Sequence, residues 1–158
     1  MKVKPSRFAF AAVAALLLIA GASHADAPAG RYEILVSGTV YDTKTKLTWQ
    51  QAIPQTGSYS WGSPSTPGTA QSYCAALDLG GAGWRLPTVG ELLTLVDYTQ
   101  AGGSSMIDPT FFPNTPPSAF WSSTPAAGSS SVAWYVYFLY GYSYVVAASG
   151  MGYVRCVR

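Results

Sequence analysis

Hydrophobic positions along the chain follow three patterns: one unbroken run, two stretches of helical spacing, and several of strict alternation. The unbroken run extends from Phe8 to Ala20, after Lys2, Lys4 and Arg7 and before Gly21, Ala22 and the small-residue site Ser23-His24-Ala25. Basic, apolar and small-residue segments in that order make a secretory signal peptide, and a 13-residue apolar core is short for a bilayer span. Cleavage is expected after Ala25 or Ala27. No Cys follows the run for lipid attachment and no twin Arg precedes it. The protein is therefore expected to be exported, to the periplasm or the cell surface, with no stable membrane span after cleavage.

Alternation marks the strands. Tyr32, Ile34 and Val36 alternate, Thr39-Val40-Tyr41 follows, and Leu47-Thr48-Trp49-Gln50-Gln51 returns after the polar turn Asp42 to Lys46, which predicts a β-hairpin over 31–51. Strands resume at Phe120-Trp121-Ser122-Ser123. From Ala133 to Leu139 the period is two, with Trp134, Val136 and Phe138 on one face and Tyr135, Tyr137 and Leu139 on the other. Gly141 is expected in a turn, a strand near Tyr144 to Ala147, and a closing strand over Tyr153 to Val157.

Helical spacing marks two segments. Thr69 caps a helix expected from Ala70 to about Leu79, with Tyr73, Ala76 and Leu77 along one face and Gly80-Gly81 at its end. Thr88-Val89-Gly90-Glu91 fits a capping box, in which the Thr and Glu side chains bond reciprocal backbone amides, and Val89, Leu92, Leu93 and Val96 form the buried face behind it. Glu91 is thus read as a cap in preference to a catalytic acid. Arg85, within Trp84-Arg85-Leu86-Pro87-Thr88, is expected to be half-buried and tied to a carboxylate or to carbonyls, ligand binding being the alternative. The Pro- and Gly-rich stretch 54–68, carrying Tyr59 and Trp61, reads as a surface loop. A second loop, 100–117, brings the pair Phe111-Phe112 to the core.

Composition then narrows the chemistry. With 49% hydrophobic and 10% charged residues, the chain has enough apolar surface to offset chain entropy, which argues against disorder. Nine Lys and Arg against seven Asp and Glu, with no basic run, do not suit nucleic acid as a partner. Signal cleavage removes three of those basic residues and His24, leaving six basic against seven acidic residues, a net charge of −1 and no histidine. Such a chain builds no Ser-His-Asp or Cys-His nucleophile and no His-ligated metal site. No cofactor and no metal are expected. The two cysteines, Cys74 and Cys156, read first as a disulfide in an exported protein, with two free thiols as the alternative. Closing a loop of about 80 residues restricts the unfolded chain by roughly 4–5 kcal/mol in the entropy model.

Several segments also match one family in order: Thr39-Val40-Tyr41-Asp42 through Leu47-Thr48-Trp49-Gln50, Tyr73-Cys74, Leu79-Gly80-Gly81, Trp84-Arg85-Leu86-Pro87-Thr88 with Glu91-Leu92, Ile107-Asp108, Phe120-Trp121-Ser122-Ser123-Thr124, Ala133-Trp134-Tyr135-Val136, and Tyr153 to Arg158. Over residues 39–158 the chain resembles the C-terminal domain of the Legionella collagen-like adhesin, a family first defined as a domain of unknown function. Residues 26–38 then serve as a lead-in strand. The resemblance implies an α+β, C-type-lectin-like fold, with two helices packed on small antiparallel sheets, one disulfide, and a ligand surface on the C-terminal strands and loops. Recognition of sulfated polysaccharide does not carry over to a chain of net charge −1 with isolated basic residues. The Glu-Pro-Asn, Gln-Pro-Asp and Trp-Asn-Asp motifs of calcium-dependent lectins are absent, so no calcium-bound sugar is expected.

The expected function is a secreted or envelope-associated module binding a glycan or a surface protein, and not an enzyme. Its ligand-binding residues are Tyr135, Tyr137, Leu139, Tyr140, Tyr142 and Tyr144, with Tyr59 and Trp61 as rim contacts. Trp84, Arg85, Thr88, Glu91, Trp121 and Trp134 are assigned structural roles. Tyrosine supplies contact area with few torsions to freeze, while Ser and Gly adapt to shape. The layout also resembles retroelement-diversified lectin-like scaffolds, in which Trp134, Val136, Phe138, Gly141 and Tyr153-Val154-Arg155 would be framework and the positions between them variable. A carboxylate-dependent hydrolase of envelope glycans and a structural self-assembly domain are the alternatives, and the oligomeric state is left open.

Overall fold

A computed structural model describes residues 28–35, 38–100 and 103–158. The expected signal peptide, 1–25, and Val36 of the first alternation lie outside these residues. The first sheet is a meander of β1 (Tyr32–Leu35), β2 (Thr39–Asp42) and β3 (Leu47–Gln50), in that order and antiparallel throughout. A single hairpin over 31–51 was expected; the earlier alternation is instead a strand of its own, pairing Ile34 with Val40. The β2–β3 turn is set by Asp42, whose Oδ1 accepts the Lys44 N–H at 2.9 Å, and by Lys46 at φ 63°. Arg31 clamps the same carboxylate at 2.8 Å and donates to the Thr94 carbonyl at 2.7 Å, which ties the sheet to the second helix segment.

Helix α1 (Ala70–Ala76) opens on a capping box, Thr69 with Ser72. It stops short of the expected Leu79, because Leu77 turns extended (ψ 127°) and gives its N–H to the Cys74 carbonyl. Ala76 consequently faces solvent, and the buried residues of the helix are Ala70 and Cys74. Cys74 and Cys156 form the disulfide, with Cα atoms 5.4 Å apart. Helix α2 (Val89–Leu93) has the capping box read from Thr88 and Glu91.

The second sheet is antiparallel in the order β4 (Ala119–Pro125), β5 (Val132–Tyr137), β6 (Tyr142–Ala147). Register places Phe120 opposite Val136, and Tyr135 and Tyr137 opposite Tyr144 and Tyr142. Helix α2 packs on this sheet. A first core gathers Val40, Trp49, Leu92, Leu95, Ile107, Phe112, Phe120, Val136 and Phe138, all 2% exposed or less. Phe112 is fully buried and Phe111 packs beside it, both against Tyr32, which fulfils the expected plug. A second core joins Ala70, Cys74, Trp84, Leu86, Trp121, Ala133, Val154 and Cys156.

The expected closing strand is not a regular one. Residues 153–158 instead thread between the sheets: Tyr153 bonds β4 through Trp121 and Ala119, while the Cys156 and Arg158 carbonyls accept from Gln50 and Thr48 of β3. Arg155, fully buried, satisfies this passage by donating to the Gln50 carbonyl at 2.7 Å, the Gln51 carbonyl and Thr115 Oγ1 at 2.7 Å, with its guanidinium 4.8 Å from the Phe112 ring. Burial pushes its pKa down to about 9, so the group still carries its charge at neutral pH.

Candidate functional site

Strand alternation carries the tyrosines to one side. Because β5 and β6 pair Tyr135 with Tyr144 and Tyr137 with Tyr142, and directly opposed residues of an antiparallel pair share a face, four tyrosines stand on the side of the sheet away from Val136. Phe138 turns into the core, and the hairpin closes where the Gly141 N–H reaches the Tyr137 carbonyl at 2.8 Å. Gly141 has φ 71°, and a Cβ there would lie 2.7 Å from Val96 and 2.8 Å from Tyr98, so both the backbone and the space demand glycine.

Ring contacts run without a break across this face. Tyr140 stacks on Tyr142 at 5.5 Å and 6°, Tyr142 meets Tyr144 at 5.6 Å, Tyr144 stacks on Tyr135 at 6.3 Å, and Tyr137 touches Tyr135, Tyr140 and Tyr142. Tyr135 extends the chain of rings to the buried Trp121 at 6.3 Å. Tyr140, Tyr142 and Tyr144 are 53%, 44% and 58% exposed, while Tyr135 and Tyr137 are half-buried beneath them. Burial, and after it the neighbouring Tyr142, Tyr144 and Tyr137, raise the Tyr135 pKa, so its hydroxyl stays protonated. No Asp, Glu, Lys or Arg occurs between Asp108 and Arg155. The face is thus aromatic and hydroxyl-bearing, and no charge belongs to its strands.

Leu139 falls beyond the end of the strand. β5 ends at Tyr137, and Leu139 lies half-buried in the turn, where the period of two no longer holds. Tyr140 occupies the same turn but joins the face by stacking on Tyr142. The expected rim residues turn inward. Trp61 donates to the Ser122 carbonyl at 2.7 Å, Tyr59 receives the Trp121 indole N–H on its carbonyl at 2.8 Å, and both pack on the second core. Tyr59 still borders a 420 Å³ cavity with Tyr73, Pro64 and Pro67.

Most residues assigned structural roles are anchored by identifiable bonds. Trp84 gives its indole N–H to the Leu79 and Gly81 carbonyls at 3.2 and 2.9 Å. Arg85 makes a two-pronged pair with Glu91 at 2.8 and 2.7 Å. Its side chain is 47% exposed, more open than expected. The Arg85 hydrogen bond, aided by the Thr88 N–H, holds the Glu91 carboxyl below the usual range against the opposing effect of burial. Trp134 keeps the face it was expected to share with Val136 but is only half-buried there, opposite Val145.

The carboxylates are spread through the structure. Asp42 serves Arg31 and the β2–β3 turn, Asp97 bonds Thr99 and Gln100, and Asp108 accepts the Thr110 N–H at 2.9 Å. Among the described residues, no group of three or more His, Cys, Asp or Glu is placed to hold a metal. No helix among them is long and apolar enough to cross a membrane. Sequence reasoning missed Tyr98, which is 70% exposed and donates its hydroxyl to the Gly141 carbonyl at 2.6 Å, bracing the hairpin from the α2 side. An isolated aromatic in a polar turn carried no periodic signal that could have placed it.

Comparison with protein families returns a match over residues 38–158 to the Lcl C-terminal domain. No curated protein matches the chain.

Proposed function

The chain belongs to the Lcl C-terminal domain family, and on that premise we propose that it is an exported ligand-binding module with a C-type-lectin-like fold, whose contact surface is the tyrosine face and whose ligand is a glycan or a surface protein. The observation that carries this reading is the unbroken set of ring contacts from Tyr140 through Tyr142 and Tyr144 to Tyr135 on an exposed sheet face. Monomeric surfaces seldom expose an extended apolar patch without a use for it. Stacked rings are also held before a ligand arrives, so little side-chain entropy remains to be lost on binding.

The contrast between fixed and open positions supports the same reading. Val136, Phe138 and Gly141 are buried, while Tyr140, Tyr142, Tyr144 and Val145 are exposed, so a diversified sequence could vary at the surface without touching the core.

The test is a screen of the purified protein against glycan and surface-protein arrays, repeated with Tyr140, Tyr142 and Tyr144 all changed to Ser. Binding is expected to weaken at least tenfold in the variant, with an unchanged circular dichroism spectrum. It should also be nearly insensitive to added salt, because no ion pair is needed at the face. Undiminished binding by a folded triple variant overturns the site.

A further inference from the structure

The second sheet has one edge closed and one edge open. On β4, the Trp121 N–H and Ala119 carbonyl are taken by Tyr153, and the Ser123 N–H by the Pro87 carbonyl. On β6 the direction of each backbone group follows from the register. The Ala148 N–H bonds the Ser131 carbonyl, and bonded and non-bonded pairs alternate along an antiparallel ladder. Tyr142, Tyr144 and Val146 therefore bond to β5, while Ser143, Val145 and Ala147 point their backbone groups outward.

This outward row is closed at both ends. The Gly141 carbonyl accepts the Tyr98 hydroxyl at 2.6 Å, and the Ala147 carbonyl accepts the Gly150 N–H at 2.8 Å. Between these closures lie Ser143 and Val145, placed symmetrically about Tyr144.

We propose that β6 pairs with β6 of a second copy of this chain, antiparallel about a two-fold axis through Tyr144, to form one six-stranded sheet. Ser143 of each copy faces Val145 of the other, exchanging four N–H to carbonyl bonds, and Tyr144 faces its counterpart in the close, non-bonded position. A window symmetric about one residue suits an identical strand, because the two-fold axis needs the same donors and acceptors on both sides.

Charge favours the same occupant. The residues from 109 to 154 contain no charged side chain, so no like charges oppose the approach, and the Lys or Pro that usually blunts an edge strand is absent from β6. The other sheet shows what a guarded edge looks like. With the Thr43 N–H on the Arg31 carbonyl, Tyr32 and Ile34 of β1 point outward about Glu33, and the same symmetric pairing there would set two glutamates face to face. Pairing at β6 instead joins two tyrosine faces into one.

Sedimentation equilibrium on the protein purified from expression of the full chain tests this. A reversible monomer–dimer equilibrium is expected, with the dissociation constant raised at least tenfold by Val145→Pro, which removes an outward N–H and spares the β5 ladder. Tyr144→Lys, which opposes two like charges at the axis and leaves the backbone intact, should do the same. Ile34→Lys on β1 should leave the equilibrium unchanged. A protein that stays monomeric to its solubility limit overturns the proposal, as does a dimer indifferent to Tyr144→Lys, or a monomer whose β6 takes up an unrelated extended peptide. Array binding is read separately, so failure of the dimer and failure of the ligand site are distinguishable.

Discussion

Strand β5 presents two faces built on one alternation, and they do opposite work. Val136 and, just beyond the strand, Phe138 are fully buried against α2 and Phe120, whereas Tyr135 and Tyr137 lie under a layer of exposed rings. Both sides are aromatic or aliphatic, so hydrophobicity alone does not distinguish them. The hydroxyl does: Phe fills the side that excludes water, and Tyr fills the side that keeps one end of each ring wet. A period-two pattern therefore identifies a sheet with two apolar faces, and the choice between Phe and Tyr indicates which one is meant to be met from outside.

The contrast is broken most forcefully from the buried side. Phe138→Ala should cost about 3–5 kcal/mol in denaturant unfolding, while Tyr142→Ala should cost less than about 1 kcal/mol; similar losses would erase the distinction between the faces. Next in size is the disulfide, which lies in the second core beside Trp121 and Ala133 at the covered end of the tyrosine side. Replacing Cys74 and Cys156 by Ser should lower stability by roughly 2–5 kcal/mol, and hydrogen exchange should rise first at Trp121 and Ala133.

Acid gives a smaller effect that sharpens the same comparison, because neither face carries a carboxylate. Burial raises the Asp42 pKa, but the Arg31 hydrogen bond and the Lys44 N–H outweigh it, so the folded value lies below the usual one. The stability this contributes is complete above the unfolded value of about 4 and is lost as pH falls through the folded value. Amide exchange below about pH 4 should therefore quicken in β1–β2 before β5–β6. Asp42→Asn should abolish that pH dependence.

Much of the local structure was readable from neighbouring residues. The capping box at Thr88 and Glu91 lies within one helical turn, and Arg85 finds its carboxylate six positions away, so short-range chemistry settles both. The alternation of β5 likewise placed Tyr135 and Tyr137 on one side, and pairing with β6 adds Tyr144 and Tyr142 to it. What escaped is non-local. The alternation at Tyr32 and Ile34 did not say which strand it pairs with, so a three-stranded meander read as a hairpin. The end of α1 is set by the turn of Leu77, ahead of the glycines that advertise a stop. Leu139 was lost to the hairpin turn, a boundary that a period of two does not mark. The role of Arg155 depends on carbonyls 104 and 105 residues away, and a lone Arg between Val154 and Cys156 gives no sign of them.

The threading of residues 153–158 between the sheets bears on how the chain reaches its folded state. Thr48 and Arg158 exchange backbone bonds across 110 positions, and Cys74 waits for a partner 82 positions later. Contacts of such span form late, after the entropy of closing long loops has been met. Neither sheet gains its last neighbour and neither core closes until residues 153–158 are in place. Without that segment both sheets lack a neighbour and Cys74 lacks its partner, an open form that a protease can cut. Docking of the C-terminal segment is thus what completes both sheets and brings the two cysteines together.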